Sequence, residues 1–123
     1  GGGGGGGGGA PLPAPDTTAP LITNLSVEPS LLTVGTNARI RASVTDDRSG
    51  VASVQATLIY PDNTQASVSL SFTQGVYQGD FQAQWNGVAG RVRVQLRAVD
   101  GAGNITEREI TVNAAGNPPQ PPF

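Results

Sequence analysis

Four side chains in turn-forming stretches, Asp46, Asp47, Asp100 and Asn104, carry hard oxygen atoms of the kind that Ca²⁺ takes. Their spacing is not that of an EF-hand loop. Asp and Asn also form turns by bonding their own backbone, so turn chemistry is the favoured reading. No cofactor is expected, and Ca²⁺ stands only as a weak alternative. A second group is cationic: Arg39, Arg41, Arg91, Arg93 and Arg97 recur at every second or fourth position, which on strands gathers them on outward faces. They form a candidate binding face for acidic sugars or a neighbour's carboxylates. Glu107 and Glu109 partly neutralise it, and cross-strand charge pairing is the blander and favoured account. Tyr77, Phe81 and Trp85 offer a sugar-stacking platform, but with only six aromatic residues in the chain a core needs them more. Ser and Thr are plentiful, yet no His, Cys or Lys is present to activate them. The expectation is that no residue is catalytic and that the chain is not an enzyme.

The elements that must position these residues are strands. Asn37 to Thr45 alternates, with Ala38, Ile40, Ala42 and Val44 on one side and Arg39, Arg41, Ser43 and Thr45 on the other. Val92, Val94, Leu96 and Ala98 alternate in the same way with Arg91, Arg93, Gln95 and Arg97. Val54, Ala56, Leu58 and Tyr60 share a face, as do Ala66, Val68, Leu70 and Phe72, and as do Tyr77, Phe81 and Trp85. Ile22, Leu25 and Val27 predict a first edge strand closed at Pro29-Ser30, and Gly79 predicts a bulge or a close backbone approach. Ile105 to Val112 predicts a last strand whose broken alternation suggests a bulge near Glu107 to Glu109. About seven strands at short spacing, with no helical period, predict an all-β chain: a single antiparallel β-sandwich with extended tails.

The tails are of low complexity. The expected organisation is a poly-Gly and Pro-rich arm over 1–20, a sandwich over 21–113 and a Pro-rich tail over 114–123. Nine consecutive Gly cannot build a core, and the Pro residues that follow hold the chain extended. Gly1, Gly2, Gly3, Gly4, Gly5, Gly6, Gly7, Gly8, Gly9, Pro11, Pro13 and Pro15 form the expected assembly arm. Gly in place of an initiator Met suggests a processed chain and hence export after removal of a leader. No apolar run approaches the roughly 20 residues of a membrane helix, so no membrane insertion is expected. Seven basic against nine acidic residues, a net of −2, give no electrostatic reason to expect nucleic acid.

Asp16 to Pro20, the Val44 to Val51 turn (VTDDRSGV) and the Ala98 to Asn104 turn (AVDGAGN) carry a family likeness. Together they resemble the immunoglobulin-like and fibronectin type III-like modules of bacterial and archaeal surface proteins. The resemblance implies an immunoglobulin-like sandwich at the cell surface or outside the cell. With the arm, it implies a structural subunit of an extracellular filament, pilus-like fibre or sheath, whose partners are copies of itself. A spacer or a carbohydrate-binding adhesin module is the alternative, with a glycan as the partner.

Overall fold

The computed structural model describes residues 15–117; Gly1 to Gly9, Pro11 and Pro13 of the expected arm, and 118–123 of the expected tail, lie outside the described residues. Eight strands run in chain order: β1 (Leu21–Glu28), β2 (Leu31–Leu32), β3 (Asn37–Thr45), β4 (Val51–Ile59), β5 (Gln65–Thr73), β6 (Val76–Gln82), β7 (Gly90–Asp100) and β8 (Ile105–Ala114). No helix occurs among the described residues. The all-β expectation therefore holds. The strands follow one hydrogen-bonded order, β1-β3-β6-β5-β4-β7-β8-β2, antiparallel throughout except where β2 runs parallel to β8. The sheet curls until β1 lies against β8, which nearly closes it.

The expected period-two faces become the core. Ala38, Ile40, Ala42 and Val44 of β3, Val54, Ala56 and Leu58 of β4, and Val92, Val94, Leu96 and Ala98 of β7 are all buried. Their removal from water is the main driving force for the fold, at about 25 cal/mol per Å² of apolar surface. β5 changes partners along its length: Gln65 to Leu70 pair with β4, and Ser71 to Thr73 pair with β6. Phe72 lies past that change. It is exposed, edge-on to the ring of Tyr77, rather than in the core with Val68 and Leu70.

One further local expectation, the bulge in the last strand, meets the structure differently, and two features were not expected. β8 pairs residue for residue with β7 from Ile105 to Ala114, so there is no bulge at Glu107 to Glu109. The alternation breaks there because Arg108 stands opposite buried Leu96, on the inward side, yet is exposed. An inward-pointing charge on a strand with an open edge discourages further pairing. The register shifts lie instead in β1, between Thr23 and Ser26, and in the β4–β7 pairing near Val51. Asn24 sits inside the first with φ 54, a left-handed conformation that Asn tolerates better than most residues. Finally, β2 is an addition: two residues, too short to show a period, bring Leu32 to complete burial beside Ala114.

Gly79 fulfils its expected role as a close approach. A Cβ there would lie 2.8 Å from the backbone oxygen of Ser69 and 2.8 Å from Val68 Cγ1. Because the first obstacle is backbone, relief requires β5 and β6 to separate. Gly79→Ala is expected to destabilise the protein by about 1–3 kcal/mol, the usual cost of overpacking, whereas Gln78→Ala on the same strand should cost well under that. Thermal unfolding of the two variants followed by circular dichroism checks the contrast.

Candidate functional site

Two places gather functional side chains: one end of the sheet, and the outward face of β5, β4, β7 and β8.

At the end, the β3–β4 and β7–β8 turns meet the segment Asp16 to Pro20. Asp100, 2% exposed, accepts hydrogen bonds from the Ala102 amide (2.9 Å), the Asn104 amide (2.8 Å) and Asn104 Nδ2 (2.9 Å). Its oxygens thus serve the turn, as the turn reading expects. Asn104 Nδ2 also donates to the backbone oxygen of Asp16 (2.8 Å). Asp16 in turn accepts from the Thr18 amide (3.0 Å), the Ser49 amide (3.2 Å) and the Ser49 hydroxyl. Asp46 accepts from the Gly50 amide (3.0 Å) and the Ser49 hydroxyl (3.3 Å), while its other carboxylate oxygen is buried without a partner.

The weak Ca²⁺ candidates are thereby regrouped. Asp46 and Asp47 come together with Asp16, one carboxylate oxygen from each within 4.8 Å of the others, while Asp100 is occupied by its own turn. One oxygen from each gives three ligands of the six to eight that Ca²⁺ takes, and both Asp16 oxygens and one of Asp46 already accept hydrogen bonds within the protein. Asp16 was invisible as a site residue in the sequence. It stands in a Pro-rich segment, 33 positions from Ser49 and 88 from Asn104.

The Arg residues do not form one stripe. Arg39 and Arg41 are on β3, and Arg91, Arg93 and Arg97 are on β7; three strands, β6, β5 and β4, separate the two sets. Arg39 is held by Asp80, with Nε at 2.6 Å and Nη2 at 3.2 Å, and Glu28 stands opposite it on β1. The Asp80 carboxylate, through its hydrogen bond and its charge, raises the Arg39 pKa; Arg39 correspondingly lowers that of Asp80. Charge pairing, the blander account, describes this half.

β7 differs. Along its outward side Arg91, Arg93, Gln95 and Arg97 stand opposite Asn113, Thr111, Glu109 and Glu107 of β8. On its other flank Ile59, Thr57 and Gln55 of β4 face Arg93, Gln95 and Arg97, and Gln65, Ser67 and Ser69 of β5 continue the same rows. Glu109 is engaged twice, by Arg93 Nη2 at 2.9 Å and Gln95 Nε2 at 2.8 Å, which lower its pKa. No ion pair holds Arg91 or Arg97 among the described residues. The face is therefore a broad array of hydroxyl, amide and guanidinium donors with one free carboxylate, Glu107.

The aromatic triad divides as well. Trp85 is buried, lies beyond the end of β6, stacks on Tyr60 at 5.4 Å and donates from Nε1 to the Val88 oxygen (2.8 Å). Tyr77 and Phe81 are half-buried against the core. None of the three forms an exposed platform.

Comparison of the sequence with protein families returns no match, and none is found among curated proteins. Among solved structures, the chain is similar to the alkylpurine DNA glycosylase AlkC of Pseudomonas fluorescens, solved on DNA containing an abasic-site analogue. The TM-score is 0.55 at 12% sequence identity, over 79% of this chain and 30% of that one. At this identity the likeness shows a shared fold alone. It nevertheless corrects the expectations drawn from composition. That protein, which shares the fold over part of its length, is a glycosylase solved on DNA, so the exclusions of an enzyme and of nucleic acid are withdrawn. The extracellular filament or sheath subunit, its homopolymeric partners, and the alternative spacer or glycan-binding adhesin have no counterpart in the comparison and are withdrawn with them.

Asp16 yields a test of the end of the sheet. The Ser49 hydroxyl chiefly, with the Thr18 and Ser49 amides, pulls its carboxyl from 3.8 down to about 2. A folded value below the unfolded one means that this anchoring is fully present above pH 4 and is lost as pH falls through about 2. The amide signals of Thr18 and Ser49, followed by nuclear magnetic resonance during acid titration, should move with a midpoint near the lowered value. In Asp16→Asn that transition should be absent.

Proposed function

We propose that this chain is a DNA-contacting β-module of a protein that acts on DNA, and that it lays the outward face of β5, β4, β7 and β8 along the phosphate backbone. The observation that carries the reading is the register, which sets Arg91, Arg93 and Arg97 in line on β7, flanked by Gln55 and Thr57 of β4 and by Thr111 and Asn113 of β8, with Glu107 and Glu109 in the same β8 row. These are the side chains that bond phosphate and sugar, contacts that position a protein on a duplex without reading its sequence. Arg91 to Arg97 span six residues, about 20 Å of strand, which runs beside about six phosphates of one DNA strand at 3.4 Å of axis each. The likeness of fold to a glycosylase bound to DNA supports the same reading. This chain matches 30% of that chain, so the role proposed is contact with the duplex within a larger DNA-repair activity.

The finer architecture proposed is an immunoglobulin-like sandwich in which β5 passes from one layer to the other. Its change of partner between Leu70 and Ser71, and a core shared by residues of β3 and β7, support it.

A fluorescent duplex with and without an abasic site, titrated with the protein and followed by anisotropy, tests the DNA contact. Affinity should fall with salt at a log–log slope of about −2 to −3, as for three phosphate contacts. The combined change Arg91→Ala, Arg93→Ala, Arg97→Ala should remove most of that slope, Arg39→Ala with Arg41→Ala should leave it, and Glu107→Gln should tighten binding. Absence of saturable binding at low salt, or equal losses from the two Arg sets, would overturn the reading.

A further inference from the structure

We infer that Asn86 is a site of spontaneous, enzyme-free modification, in which its side-chain amide is lost through a cyclic imide with Gly87 and the residue ends as aspartate or isoaspartate. The inference does not depend on the DNA reading.

The reaction needs the amide nitrogen of the following residue to reach the Asn side-chain carbon. A side chain on that following residue normally obstructs the approach, and Gly has none. Asn86-Gly87 is the one Asn-Gly pair in the sequence, and Asn86 is exposed in the connection from β6 to β7. The Val88 amide donates to Asn86 Oδ1 at 3.1 Å, an Asx turn. That bond ties the side-chain oxygen to the backbone just past Gly87 and draws electrons from the carbon to be attacked. No hydrogen bond among the described residues occupies the two groups that must be free, the Gly87 N–H and Asn86 Nδ2.

The bonds balance without a co-reactant other than water. The Gly87 nitrogen loses its proton and bonds to Asn86 Cγ, the Cγ–Nδ2 bond breaks, and ammonia leaves. Water then opens the imide at either carbonyl. One opening gives aspartate; the other gives isoaspartate, in which the main chain runs through Cβ and is longer by one carbon.

The fold holds glycine at position 87. Gly87 has φ +88, a conformation strained for any L side chain, and a Cβ there would come within 2.0 Å of Asn117 Nδ2. The lengthened link would fall where three contacts depend on spacing: the Trp85 Nε1 bond to Val88, the Asn86 amide bond to Asp62 (3.0 Å), and the Asn117 amide bond to the Gly87 oxygen (2.9 Å). Either product also adds a negative charge beside Asp62.

The folded full chain, incubated in mildly alkaline and in mildly acidic buffer and then cleaved at Arg, gives the test by fragment mass spectrometry of the Ser49 to Arg91 peptide. Expected is replacement of NH₂ by OH at Asn86 and not at Asn63, several-fold faster in the alkaline sample, with part of the product accepting methyl groups from an isoaspartate methyltransferase. The modified fraction should unfold at lower temperature and show altered Trp85 fluorescence. Asn86→Gln, checked for folding by circular dichroism, should give no such product in this peptide. The inference is overturned if Asn86 stays intact in the folded chain while a synthetic Gln84 to Ala89 peptide converts alongside it, or if Asn63 converts first.

Discussion

The fold depends on close approach between strands whose inward side chains are mostly small. Ala38, Ala42, Ala56, Ala83, Ala98 and Ala114 are all buried, and the larger Ile40, Leu58 and Leu96 fill the spaces that these leave. Gly79 marks the tightest point, where β6 passes the backbone of β5. Close-packed cores leave few voids beyond the size of a water molecule. Binding and chemistry are thereby confined to the outward faces and to the turns at the ends. Each outward face then inherits its content from the residues that alternate with the core.

That inheritance explains what was legible in the sequence. β3 and β7 keep a strict period of two, so their buried residues and their outward Arg residues could be read directly, and so could the bounds of β3, while β7 runs on through Gly90 and Asp100 at its ends. The period fails where a residue's surroundings are set by distant partners. Phe72 continues the pattern of Val68 and Leu70 but lies where β5 has already left β4, so it faces solvent. Arg108 occupies an inward position that the core does not reach. Trp85 is buried by stacking on Tyr60 after its strand has ended, and Leu32 by a two-residue pairing with β8. None of these leaves a local signal.

The end of the sheet was half legible. Asp46, Asp47, Asp100 and Asn104 do converge on one end, because the β3–β4 and β7–β8 turns close there. The chain entering at Asp16 belongs to the expected extended arm, yet its carboxylate and backbone oxygen join both turns through Ser49 and Asn104. Thr106 Oγ1 donates to the Pro20 oxygen and continues the seam to the start of β1. Entry into the domain is thus fixed in direction by side chains far apart in sequence, which no spacing rule could have joined.

Net charge is a coarse guide for a related reason: it sums over charges that are unevenly placed, some paired across strands and some gathered at one end. Of the nine acidic residues, Asp16, Asp46, Asp47 and Asp100 sit together at that one end, bound up in the turns. Arg91 and Arg93 lie toward the opposite end of β7, which is 11 residues, or about 35 Å, long. Because charges farther apart than about 10 Å are largely screened at moderate salt, an anion meeting the Arg91 end responds to the local donors and not to the sum of −2. Glu109, paired with Arg93, and Asp62, bonded to the Asn86 amide, are acids already near that end. A charge gained at Asn86 would add to Asp62 on the side of the sheet where Arg91 and Arg93 stand, whereas the same charge added among the acidic turns would join carboxylates already gathered there.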